Sequence, residues 1–138
     1  MAKFLDVLIV EEISDSVFEV VDHDFRYQSD LESTNPENAP WVIRVPVGFQ
    51  TDFASIPRVP FIYDALGDTA HEAATIHDFL YFSAICTRAV ADNVLYEAMG
   101  VLQMPIWRRW PIYLGVRVGG WAAWNAHRAK GDGAQKLP

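Results

Sequence analysis

Hydrophobic and polar positions along this chain follow a strand-like pattern over the first third and a helical period afterwards. Residues 4–10 (Phe-Leu-Asp-Val-Leu-Ile-Val) and 17–27 are rich in β-branched and aromatic side chains, and Ser14-Asp15-Ser16 between them carries a turn signal. Together they predict a β-hairpin. A polar, acidic loop follows over residues 29–40. Trp41-Val-Ile-Arg-Val-Pro-Val then reads as a third strand, whose Pro46 suits an edge or a strand end because proline has no N–H to give a ladder. An antiparallel sheet of three or four strands is the simplest account.

From residue 69 onward the period becomes helical. Thr69 with Glu72 three places later forms a capping-box pattern, and the helix it opens runs to about Ser83. A second helix runs from about Ala89 to Leu102, with Val94, Leu95, Ala98, Met99 and Leu102 on one face. Pro105 starts a third, longer helix that carries Trp107, Trp110, Tyr113, Leu114, Val118, Trp121 and Trp124. Pro111 and Gly119-Gly120 should bend or interrupt it. The expected class is α+β: an N-terminal antiparallel sheet of three or four strands followed by three α-helices. One domain covers 1–138, with a sheet part at 1–48, an ordered loop at 49–66, a helical part at 67–128 and a flexible tail at 129–138. A membrane span needs about 20 mostly apolar residues. Arg117 breaks the apolar run from Trp110 to Trp124, and Arg108-Arg109 precede it, so the stripe reads as core or as an oligomer face.

Composition narrows the function classes. Half of the residues are hydrophobic (51%), which excludes a disordered chain, and the net charge of -7 argues against a nucleic-acid binder. The charge is uneven. Residues 1–40 hold most of the acid, whereas 105–130 carry Arg108, Arg109, Arg117, Arg128 and Lys130 and no acid, an end suited to an acidic partner or an anionic lipid surface. The lone Cys86 rules out an internal disulfide framework, fits a reducing cytoplasm and reads as a small core residue. The N-terminus lacks the basic segment and long apolar core of a secretory signal.

The chemistry concentrates in His77-Asp78-Phe79-Leu80-Tyr81, set among apolar neighbours. On a helix His77 and Tyr81 share a face, while Asp78 points about a quarter-turn away. His77 is the natural general base, and Asp92, near the start of the next, antiparallel helix, is the natural carboxylate to orient it; helix N-terminal charge compensation is the alternative use of Asp92. Asp78 is a candidate divalent-metal ligand, with Asp52 supplying further oxygen, or a partner for Arg58 or Arg88. The segment Thr51-Asp52-Phe53-Ala54-Ser55-Ile56-Pro57-Arg58 mixes polar groups with aromatic anchors. Thr51, Ser55 and Arg58 are candidate site residues there, local hydrogen bonding being the bland alternative. No HExxH, cysteine pair or glycine-rich phosphate loop exists, so zinc-protease and nucleotide readings lack a motif.

Two resemblances attach to these motifs. Val45-Pro46-Val47-Gly48-Phe49, Thr51 to Arg58, His77 to Tyr81, Ala91-Asp92 and Trp107-Arg108-Arg109-Trp110 together resemble a family of uncharacterised small proteins of tailed bacteriophages and prophages, over residues from about 41 to 124. That resemblance implies a virion-associated protein, in the tail or elsewhere in the particle. It would be made in the host cytoplasm and assembled with other phage structural proteins. Ala73 to Tyr81 followed by Ala91-Asp92 is also similar to the active-site helices of phospholipase A2. This second likeness implies His77 as base, Asp78 as Ca²⁺ ligand, Asp92 as orienter and Tyr81 as its support. The implied activity is a hydrolase acting on a host-envelope component such as lipid ester or murein. The glycine-rich calcium loop of the phospholipases is missing ahead of the helix, where only Gly67 occurs. The competing expectation is a non-enzymatic structural or adaptor component, in which the same polar residues form a buried network.

Overall fold

The structure, a computed structural model, describes residues 1–31, 40–52 and 70–137. Among the described residues, six strands come first: β1 (Lys3–Phe4), β2 (Val10–Ser14), β3 (Val17–Val20), β4 (Phe25–Ser29), β5 (Trp41–Val45) and β6 (Gln50–Thr51). They form two three-stranded antiparallel sheets, ordered β1-β4-β5 and β2-β3-β6, rather than a single sheet. The expected turn at Ser14–Ser16 is present, with Ser16 at a φ of 60° joining β2 to β3. The expected long strands are each cut in two. Residues 17–27 break where Asp22 takes a φ of 73°, a left-handed conformation that a short polar side chain tolerates. Residues 4–10 break at Asp6, whose carboxylate accepts the Arg26 backbone N–H (3.0 Å) and the Arg26 guanidinium (2.8 and 3.0 Å) where a ladder bond would otherwise go.

Alternation sets which sheet face is inside. Phe25, Tyr27 and Ser29 of β4, and Trp41, Ile43 and Val45 of β5, are buried, while Val42 and Arg44 between them are exposed. Four helices follow among the described residues: α1 (His71–Ser83), α2 (Arg88–Val101), α3 (Ile106–Gly119) and α4 (Trp121–Ala129), with a 3-10 turn at Ala134–Lys136. Helix α1 contacts β5, β6, α2 and α4, and almost every side chain from Ala73 to Ser83 is buried. A helix buried on nearly all sides has to be central. Thr69, expected as N-cap, lies outside the described residues; the N-cap position is Ala70, which lends no side-chain hydrogen bond. Left-handed Ala84 (φ 52°) closes α1, and the Thr87 hydroxyl, accepting the Val90 N–H at 3.3 Å, starts α2.

The expected third helix is two. Pro111 sits inside α3 without ending it, and the interruption falls at Gly120. Gly120 has an ordinary φ of -68°, so the backbone does not demand glycine. Space does: a Cβ there would run into the Tyr81 hydroxyl and the Val116 carbonyl oxygen. The aromatic stripe, expected to be core or an oligomer face, is mostly solvent-facing in the single chain. On α3 only Ile112 and Val116 are buried, whereas Trp107 is 74% exposed, Val118 76% and Trp121 58%. Trp124 alone turns inward, its ring edge-on to Tyr81 at 5.3 Å. No helix among the described residues is long and apolar enough to cross a membrane.

Candidate functional site

The short connection after α1 returns α2 alongside it, so Asp92 faces His77 and Tyr81, one helical turn apart on α1. His77 Nε2 lies 2.7 Å from Asp92 Oδ1, and the Tyr81 hydroxyl donates to the same oxygen at 2.6 Å. A carboxylate only accepts, so the ring carries a hydrogen on Nε2. The two rings stack at 4.2 Å between centroids, tilted by 43°. The other Asp92 oxygen, Oδ2, accepts Arg117 Nη1 at 2.8 Å and Arg88 Nη1 at 3.3 Å. Arg88 also donates to the carbonyls of Val116 (2.9 Å) and Arg117 (3.3 Å), which pins α2 to the end of α3. His77, Tyr81 and Asp92 are all 0% exposed. Burial pushes the Asp92 carboxyl up, but the His77, Tyr81 and Arg117 hydrogen bonds outweigh it and hold the group below the usual carboxylate range. Burial, reinforced by the bond to Asp92, pushes the Tyr81 phenol up.

Asp78 looks elsewhere, as its position a quarter-turn from His77 requires. Its Oδ2 accepts the Thr51 hydroxyl of β6 at 2.6 Å, and it is 5% exposed. Arg88, one of the two arginines offered as alternative partners for Asp78, turns to Asp92, and Arg58, the other, lies outside the described residues. Asp78, Thr51 and Asp52 share the wall of a groove of about 310 Å³, together with Phe49, Phe82 and His127. Thr51 thus meets Asp78, whereas Ser55 and Arg58 lie outside the described residues. Among the described residues, no group of three His, Cys, Asp or Glu side chains gathers in a metal-binding arrangement. Asp78 and Asp52 alone fall short of the six to eight oxygens calcium takes. Burial, with the Asp92 charge adding, pushes the Cys86 thiol up to about 12.

Sequence reasoning missed the two arginines on Asp92 and the histidine on the groove. Arg88 stands four residues before Asp92, a spacing that places the two on one helix face. Arg117 interrupts an apolar run, and a charge held in such a run has to have a partner. Nothing in the local pattern singles out His127.

No curated protein and no solved structure matches the chain significantly. A family model does match, over residues 19–116, from β3 through α1 and α2 to the Val116 carbonyl that receives Arg88. That span covers more than half of the chain and contains Thr51, His77, Asp78, Tyr81, Arg88 and Asp92. The chain belongs to the family described as protein of unknown function (DUF1353).

Proposed function

We propose that this protein is a virion-associated component of a tailed bacteriophage, carried in the tail, that hydrolyses an ester of the host cell envelope. The observation that carries the hydrolase reading is the meeting of His77 and Tyr81 on one oxygen of Asp92, at 2.7 and 2.6 Å. In this reading the imidazole, its Nε2–H committed to Asp92, takes a proton from water while the water oxygen attacks the acyl carbon. The carbonyl π pair moves onto its oxygen, the tetrahedral adduct collapses, the ester C–O bond breaks, and the imidazolium gives its proton to the leaving alkoxide. Asp92 stays ionised throughout, supported by Arg117 and Arg88. Asp78 and Asp52 are the side chains that would contribute to a calcium shell, its remaining oxygens coming from backbone carbonyls and waters. The ion's chemistry there would be polarisation of the ester carbonyl. No step above depends on it.

The phage assignment rests on the motifs Thr51 to Arg58 and His77 to Tyr81. It implies synthesis in the host cytoplasm, oligomeric assembly with other phage structural proteins, and lipid or murein as the host-side partner. The net charge of -7 speaks against nucleic acid. His77→Ala, assayed against phospholipid vesicles, a short-chain ester and murein, is expected to lower turnover about 10²–10⁴-fold; an unchanged rate overturns the assignment. A second reading, a non-enzymatic structural or adaptor role in the particle, is favoured by the complete burial of His77, Tyr81 and Asp92. That reading predicts no turnover by the native protein and loss of thermal stability alone in the variant.

A further inference from the structure

Helices α3 and α4 carry one apolar stripe that the other described residues leave open. Trp107, Trp110, Leu114, Val118 and Trp121 follow one another in steps of three, four, four and three residues. At about 100° per residue they all fall within about 40° of Leu114 around the helix axis, so they form one narrow face. The break at Gly120 does not turn that face away. Gly120 keeps helical angles (φ -68°, ψ -16°), its N–H reaches the Val116 carbonyl at 2.8 Å, and the Trp124 N–H reaches the Gly120 carbonyl at 3.0 Å. The stripe is therefore continuous. Leu114 is 52% exposed, Trp110 47%, and Ile106 at the edge of the face 57%. At about 250 Å² for a whole indole residue, the three tryptophans leave roughly 400 Å² open, and Ile106, Leu114 and Val118 bring the face to roughly 700 Å². The largest patch on an ordinary monomer is about 300–600 Å². A standard interface takes about 800 Å² from each partner.

Two features say what covers it. The spacing is a palindrome about Leu114, so the face is complementary to its own copy after a half-turn. An antiparallel pairing about a two-fold axis sets Trp107 against Trp121 of the second copy, Trp110 against Val118, and Leu114 against its own equivalent. The stripe itself is also uncharged. Residues 105–130 contain no acidic side chain. Arg117, which borders the stripe, donates to Asp92 at 2.8 Å, and Arg128 turns to the Tyr81 and Phe82 carbonyls and to the Trp124 ring. These are cations that an anionic bilayer would draw on, and they are engaged within the chain. The net charge of -7 opposes such a surface further. We propose that two copies of this chain pair through the α3–α4 stripe, antiparallel about Leu114. The inference goes beyond the ester hydrolase reading and does not need His77.

The test is sedimentation velocity of the full chain over about 1–100 µM, the weak end of what an interface of this size gives. The mass is expected to rise from 15.6 kDa to twice that value, with tryptophan emission moving to the blue as it does. Leu114→Glu sets two like charges against each other on the two-fold axis and is expected to weaken pairing about 100-fold or more. Leu114 is half exposed, so the variant should keep the native circular dichroism. Leu114→Lys alone is expected to fail in the same way, and an equimolar mixture of the two variants to pair again, because residue 114 meets itself. Val42→Glu, on the exposed side of β5, is expected to leave the mass unchanged. A native chain that stays single at 100 µM, an undiminished dimer in Leu114→Glu, or a mixture no better than either variant alone overturns the proposal. So does a single chain that sediments with phosphatidylglycerol vesicles through the same stripe. None of these readouts depends on turnover, so a failed hydrolase assay and a failed interface are told apart.

Discussion

Among the described residues, two histidine–aspartate pairs have the same 2.7 Å length, and they are built in opposite ways. His77 and Asp92 join two helices across the core, both fully buried, and Asp92 gathers donors from α1, α2 and α3. His127 and Asp132 are five residues apart, joined by one local loop closure, and border a groove. A sealed, saturated carboxylate has to be satisfied for the fold to stand. A local pair at the rim is screened by solvent and can change partners. Equal distances therefore carry unequal energies, and reactive potential and structural weight need not lie in the same pair.

The largest effect expected to sharpen this contrast is Asp92→Ala. It strips His77, Tyr81, Arg88 and Arg117 of their common acceptor and should cost about 3–5 kcal/mol, read from thermal or urea unfolding followed by circular dichroism. Asp132→Ala should cost no more than about 1 kcal/mol; equal losses would break the comparison. Next comes Gly120→Ala, whose methyl meets the Tyr81 hydroxyl and should cost about 1–3 kcal/mol. Tyr81→Phe in the same chain removes one of the two clashing oxygens, so the pair of changes should be less destabilising than their sum. If the two costs simply add, the hydroxyl is not what excludes the methyl.

Acid separates the two pairs further. Both carboxyls are held below the ordinary aspartate range, Asp132 chiefly by its bond to His127. A lowered folded pKa means that the unfolded chain binds the proton first. The stabilisation is complete above the ordinary aspartate pKa, about 3.9, and is lost as the pH falls through the lower folded values. Melting temperature should drop below about pH 4, and replacing Asp92 by Asn in a chain that still folds should flatten that slope more than replacing Asp132. Equal slopes in the two variants would contradict the assigned difference in burial. The smallest effect is Thr87→Ala, which removes the cap of the helix bearing Asp92 and should cost about 0.5–1 kcal/mol. A loss as large as that of Asp92→Ala would mean that α2 is held by its start rather than by its buried carboxylate.

Much of this was legible in the chain. The i, i+4 step from His77 to Tyr81 and the short return to α2 suffice to bring Asp92 onto both, because helix geometry leaves few alternatives. The turn at Ser14–Ser16 and the alternation of Trp41 to Val45 were equally plain. The split into two sheets was not, since it depends on the Asp6 carboxylate taking the Arg26 N–H and on the left-handed Asp22, both long-range or strained choices that a local pattern does not carry. Gly120 illustrates the same limit. Its sequence signal suggests a kink, whereas its reason is the oxygen of a tyrosine thirty-nine positions earlier. The stripe bearing Trp107 and Trp121 left core and oligomer face both open, because an apolar period indicates a face without saying what covers it.

Those outward indoles also decide how the molecule should be watched. Trp107, Trp110 and Trp121 already meet solvent in the native single chain. At dilutions where the chain stays single, their emission will be red and open to acrylamide before any denaturant is added. Intrinsic fluorescence will therefore understate unfolding, with the informative quenching confined to Trp41 and Trp124.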